Sequence, residues 1–140
     1  MKRFLHLHII SIMIALAICS TAKAQNPFPD NEGETAQYST YIQMSNAYIS
    51  GICVLMKENG EIKGSIFNEF GFTAIDFTYN IKKNKVKLIY VFDLMNKWYI
   101  KKTLKKDLAN LLTVLQKGET QYINSKRHIT YTFKPMQNDE

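Results

Sequence analysis

Four runs of β-branched and aromatic residues, each closed by turn residues, occupy Ala47 to Asp93 and confine the chain to an antiparallel sheet. The runs are Ala47 to Lys57, Ile62 to Phe70, Phe72 to Asn80 and Lys85 to Asp93. Connections this short join antiparallel neighbours, because a parallel crossover needs a dozen residues or more. Asn59-Gly60 is a pair that tight hairpins favour, since both central residues take positive φ. Gly71 supplies the second turn and the lysine-rich Asn80 to Asn84 the third. Successive side chains point to opposite faces, so the alternation sets register. Ile62, Gly64, Ile66 and Asn68 share one parity of the second run, and Ile75, Phe77 and Tyr79 one parity of the third. Val86, Leu88, Tyr90 and Phe92 share one parity of the fourth. The first run is apolar on both parities, the pattern of a strand covered on both sides.

A sheet with one apolar face needs a partner, and the chain supplies one downstream. Leu104, Leu108, Leu111, Leu112 and Leu115 fall at helical spacing, with Thr103 as the expected N-cap and Gly118 as the stop. Burying five leucines is worth roughly 1.5–3 kcal/mol each, so this stripe carries much of the domain's stability. Lys97 to Lys102 reads as a short fifth strand before the helix, and Asp93 to Asn96 as a turn. Thr120 to Asn124 and Lys126 to Lys134 read as a closing hairpin. Gln37 to Met44 fits either a strand or a short helix. The fold class predicted is α+β: an antiparallel sheet of about six to seven strands covered by one main helix.

The ends of the chain speak to address. Residues 1–24 have a basic start, an apolar run from Ile9 to Ile18 and Ala22-Lys23-Ala24, the pattern of a cleaved export signal. The apolar run is short for a membrane span of roughly 20 residues. Cys19 raises lipid attachment, but Ile18 is the wrong shape just before a lipidated cysteine, which ranks that route below ordinary cleavage. The expected organisation is a signal at 1–24, a flexible leader at 25–36, one domain at 37–135 and a polar tail at 136–140. The net charge of +6 falls on processing. Losing Lys2, Arg3 and Lys23 leaves 15 basic against 12 acidic side chains, or +3.

Little here points to catalysis. Cys53, the one cysteine beyond the signal, sits among Ile52, Val54 and Leu55 as a buried hydrophobe would. His128 has no second histidine beside it after processing, so neither a metal nor a cofactor is expected. Glu69 and Asp76 are the carboxylates inside the sheet region, and a turn-stabilising role fits them better than acid–base work. Lys82 to Lys106 holds nine lysines and one acid, Asp93, interleaved with Tyr90, Phe92, Trp98 and Tyr99. A solvated lysine face is the plainest reading; an anionic membrane surface comes next, and nucleic acid is not expected of an exported chain.

The stretches Ser50 to Lys57, Asn68 to Phe72 and Asp76-Phe77, followed by Asn96 to Leu104, Asp107-Leu108 and Leu111-Leu112, together resemble a known family. They are similar to small exported Bacteroidetes-type proteins related to the LolA/LolB lipoprotein-carrier superfamily. The resemblance covers about Ala47 to Leu115. It implies that the sheet is a strongly curved antiparallel sheet, an incomplete barrel, with a helix against its concave side and apolar side chains between them that accept an acyl chain. It also implies a non-enzymatic role in carrying lipids or lipoproteins at the periplasm or outer-membrane periphery. The cavity-lining residues expected on that basis are Ile66, Ile75, Phe77, Tyr79, Leu88, Tyr90, Leu108, Leu112 and Leu115. If the helix packs tightly, the same residues are simply core. A structural or protein-interaction module of the envelope, with no small-molecule ligand, is the alternative.

Overall fold

The computed structural model describes residues 26–137. The expected export signal at 1–24, with Cys19 inside it, and the last three residues of the tail lie outside the described residues.

Seven strands form one antiparallel sheet that curls into a half-barrel. They are β1 (Thr35–Gln43), β2 (Tyr48–Glu58), β3 (Glu61–Asn68), β4 (Thr73–Asn80), β5 (Lys85–Val91), β6 (Gln121–Asn124) and β7 (Ile129–Pro135), arranged β5-β4-β3-β2-β1-β7-β6. A helix, α1 (Trp98–Gln116), joins β5 to β6 and packs on the concave face. This is the predicted α+β class. Asn59 and Gly60 take positive φ at the β2–β3 turn, as the hairpin signal requires. The undecided stretch at Gln37 to Met44 is strand: Ala36, Tyr38, Thr40 and Ile42 point inward and alternate with exposed residues.

The core lies between the leucine stripe and the sheet. Leu104, Leu108, Leu111, Leu112 and Leu115 are buried with Tyr38, Ile62, Ile66, Phe77, Tyr79 and Phe133. Gly64 occupies an inward position of β3 directly opposite Phe77, and the Phe77 ring lies over the space where a Cβ would stand. An aromatic ring covering a strand glycine in this way keeps the curved sheet closed where a side chain is missing.

Four local readings differ from the structure. First, Lys97 to Lys102 is not a strand: Trp98 already belongs to α1, so Thr103 lies inside the helix and Lys97 is its N-cap residue. The preference of Trp, Tyr and Ile for strands is weak, and Ile100 continues the four-residue spacing of Leu104 and Leu108. Second, Tyr90 faces outward. Asp76 pairs with Tyr90 but Phe77 pairs with Leu88, which leaves Ile89 as an extra residue on β5 and reverses the alternation, so Val91 is buried. A matching irregularity leaves Ala74 as an extra residue on β4, and Ala74 and Ile75 are both buried. Third, β2 is covered on one face only: Cys53 and Leu55 are buried while Ile52 is exposed. Fourth, the segment read as a leader packs onto the domain. Phe28 joins the core, and the Asn26 Nδ2 group donates to Gln116 O (2.6 Å) and Leu115 O (3.3 Å) at the end of α1. Glu32 accepts the Asn59 and Gly60 amides of the β2–β3 turn.

Candidate functional site

Antiparallel register gathers one set of turns at one end of the half-barrel. Gln43 pairs with Tyr48 and Thr130, Phe67 with Thr73, and Ile75 with Val91. The β1–β2, β3–β4 and β6–β7 turns and the β5–α1 connection therefore share that end. There, between the turns and the first residues of α1, lies an open cleft of about 1200 Å³. That is slightly larger than the roughly 300–1,000 Å³ of common small-molecule sites.

Each element brings apolar side chains to it. Ile42, Ile75 and Tyr131 come from the inner face of the sheet, Met44 and Ala47 from the β1–β2 turn, and Phe70 and Phe72 from the β3–β4 turn. Phe92, Leu94 and Met95 come from the β5–α1 connection, where Asp93–Met95 forms a 3-10 turn. The helix adds Tyr99, Ile100, Thr103 and Leu104. The charged side chains lining it, among the described residues, are Glu69 and Arg127.

The β3–β4 turn is tightly tied. Asn68 Oδ1 accepts the Phe70 and Phe72 amides at 3.0 and 2.9 Å, and the Gly71 amide donates to Asn68 O with φ +83 at the glycine. The two phenylalanines are thus held outward by an organised turn.

The helix is held very unevenly along its length. Its far end is fixed on both sides. Thr113 Oγ1 donates to Asn84 Oδ1 (3.2 Å), and Gln116 Nε2 donates to Tyr79 OH (3.3 Å). Asn110 Nδ2 donates to Tyr122 OH (2.9 Å). At its middle, the buried Asp107 accepts Tyr131 OH (2.7 Å) and Asn124 Nδ2 (2.9 and 3.1 Å). Burial first, then this bond to Asp107, pushes the Tyr131 hydroxyl pKa up. Among the described residues, the first turn has none of these ties. Lys97 makes no side-chain cap bond there, and no acidic residue lies in the first turn. Lys101, Lys102, Lys105 and Lys106 instead load this half with positive charge, opposed to the helix dipole by about 0.3–1 kcal/mol for those nearest the terminus.

Of the nine residues expected from the sequence, the structure brings Ile66, Phe77, Tyr79, Leu108, Leu112 and Leu115 together in the packed interior, each at most 2% exposed. Ile75 is both core and cleft wall. Leu88 is half-buried at the margin of the core, and Tyr90 stands on the outer side. The cleft itself is built largely from turn residues and the start of the helix. Phe70-Gly71-Phe72 and Leu94-Met95, large apolar residues inside turns, were the sequence signal for it. Glu69 and Asp76 accept from different serines: Ser50 Oγ donates to Glu69 (3.2 Å) and Ser65 Oγ to Asp76 (2.6 Å). Cys53 is fully buried, and burial pushes its thiol pKa up.

The lysine run divides in space. Lys82, Lys83 and Lys85 lie at the β4–β5 turn, the end of the sheet away from the cleft, and Lys87 on the edge strand β5. Lys97, Lys101 and Lys102 belong to the cleft end, and Lys105 and Lys106 follow one turn further along α1.

Neither a scan of protein-family models nor searches of the curated proteins and of the solved structures returns a match to this chain.

Proposed function

We propose that this is a non-enzymatic envelope protein that binds or carries a lipidic ligand, such as a free or protein-borne acyl chain, in the cleft between α1 and the turn end of the half-barrel. The observation that carries the reading is the cleft's volume of about 1200 Å³ combined with its apolar walls. A wall of this composition favours a hydrocarbon chain, since burying apolar surface is worth roughly 25 cal/mol per Å² while an unpaired polar group loses its water. Glu69 and Arg127 are available to a polar headgroup. The expected export signal and the resemblance to lipoprotein carriers support a place at the periplasm or outer-membrane periphery.

The test is titration of delipidated protein with a fluorescent fatty-acid probe in vesicle-free buffer. Saturable uptake, displaced by unlabelled fatty acid, is expected. Absence of uptake would overturn the reading and leave the envelope interaction module in its place.

A further inference from the structure

The four most exposed large apolar side chains among the described residues are Phe70, Leu94, Trp98 and Phe72, between 71% and 78% exposed. They come from three separate elements, yet all sit at the cleft end. Tyr48 and Phe92 extend the same rim. Exposed apolar side chains gathered at one end of a folded domain in this way mark a surface that meets something apolar. The rim does not arise from a loose loop, because Asn68 ties the β3–β4 turn from inside.

Charge identifies the occupant. On one side of the rim stand Lys97, Lys101 and Lys102, and on the other Lys126 and Arg127 of the β6–β7 turn. The acids at this end, among the described residues, are Glu69 and Asp93. At the opposite end, among the described residues, Asp30, Glu32, Glu34, Glu58, Glu61 and Glu119 offset Lys57, Lys63, Lys82, Lys83, Lys85 and Lys117, so the excess of positive charge is concentrated around the cleft mouth. Aromatic side chains that enter a headgroup layer, flanked by basic ones, fit a bilayer of anionic lipid.

We infer that the cleft mouth docks onto an anionic phospholipid bilayer. Phe70, Phe72, Leu94 and Trp98 enter the headgroup region, and Lys97, Lys101, Lys102, Lys126 and Arg127 contact lipid phosphates. Docking in this orientation opens the cleft toward the acyl layer, so a chain passes between bilayer and cleft without crossing water. The inference rests on the ligand-binding reading of the cleft and supplies its donor or acceptor.

The experiment uses the sole tryptophan, Trp98, as reporter. The protein is mixed with phosphatidylcholine vesicles, with and without phosphatidylglycerol, at low and high salt. Flotation and Trp98 emission are then read. Binding to anionic vesicles only, weakened by salt, with a blue-shifted emission quenched by brominated lipid, is expected. The double variant Lys101→Glu/Lys102→Glu alters neither a core nor a cleft-lining side chain and should bind vesicles at least about tenfold more weakly. Uptake of the fatty-acid probe in vesicle-free buffer should stay intact in that variant. Failure to bind anionic vesicles, equal binding by the double variant, or unshifted Trp98 emission would overturn the docking. So would a doubled mass in solution that Phe72→Ser abolishes, which would assign the rim to a second copy of the chain. Probe uptake without vesicle binding sinks the docking alone, whereas loss of probe uptake by the native protein sinks the ligand reading itself.

Discussion

At Gly64 the fold depends on a missing atom. A Cβ there would overlap the Phe77 ring, which is buried and cannot swing aside. Gly64→Ala should cost about 1–3 kcal/mol of stability, as overpacking does. Adding Phe77→Leu should recover part of that loss in a double-mutant cycle by denaturant unfolding, and strict additivity would contradict the contact. The parity of β3 was legible from Ile62, Gly64 and Ile66; the reason for the glycine was not, because it lies in the ring across the strand pair. Tyr38 makes a second case. Its hydroxyl is buried without a partner among the described residues, and burial pushes its pKa from 10.0 up to about 12. The folded state therefore holds this proton more tightly than the unfolded chain. The resulting stability is complete below pH 10 and is lost as pH rises through about 12, with Tyr131 acting in the same direction. Unfolding free energy should fall over that interval by up to about 1.4 kcal/mol per pH unit for each tyrosine. Tyr38→Phe should be neutral or stabilising at pH 7 and should make the decline shallower. A flat profile through pH 12 would contradict this account.

Within one element, α1, burial divides the helix into a packed part and an open part. Leu108 is fully buried among the core side chains, whereas Ile100, two turns earlier, is half-buried on the cleft wall. Leu108→Ala should therefore cost about 2–5 kcal/mol and Ile100→Ala less than about 1.5 kcal/mol, since no new cavity opens where the wall already faces a cleft. Similar losses at both sites, measured by urea unfolding, would mean that the cleft end is packed. The leucine stripe was readable because helical spacing and the Gly118 stop coincide. The start of the helix was not, because Trp98, Tyr99 and Ile100 favour strands locally and only their docking beside the sheet decides otherwise. The inward residues of β5 were misread for a different reason. The extra residue at Ile89 breaks the alternation, and a bulge leaves no fixed mark in composition.

Taken whole, the molecule is a half-barrel whose tight core and open cleft share one concave face. Core membership was legible from alternation and helical spacing, which is why Ile66, Phe77, Tyr79 and Leu112 fall together. The cleft was not, since it is formed by turns that only the antiparallel register brings to one end. The same register separates Lys82, Lys83 and Lys85 from Lys101 and Lys102, which looked like one patch along the chain. The central claim is that this cleft, and not a gap beneath the leucine stripe, receives an acyl chain. The measurement that tests it most directly is fatty-acid probe titration of Thr103→Glu beside the native protein. Thr103 is half-buried on the cleft wall, so the substitution sets a charge against hydrocarbon while keeping a good helix former. Affinity should fall at least about tenfold with the unfolding midpoint little changed. Undiminished uptake by a folded Thr103→Glu protein would place the ligand elsewhere and contradict the account.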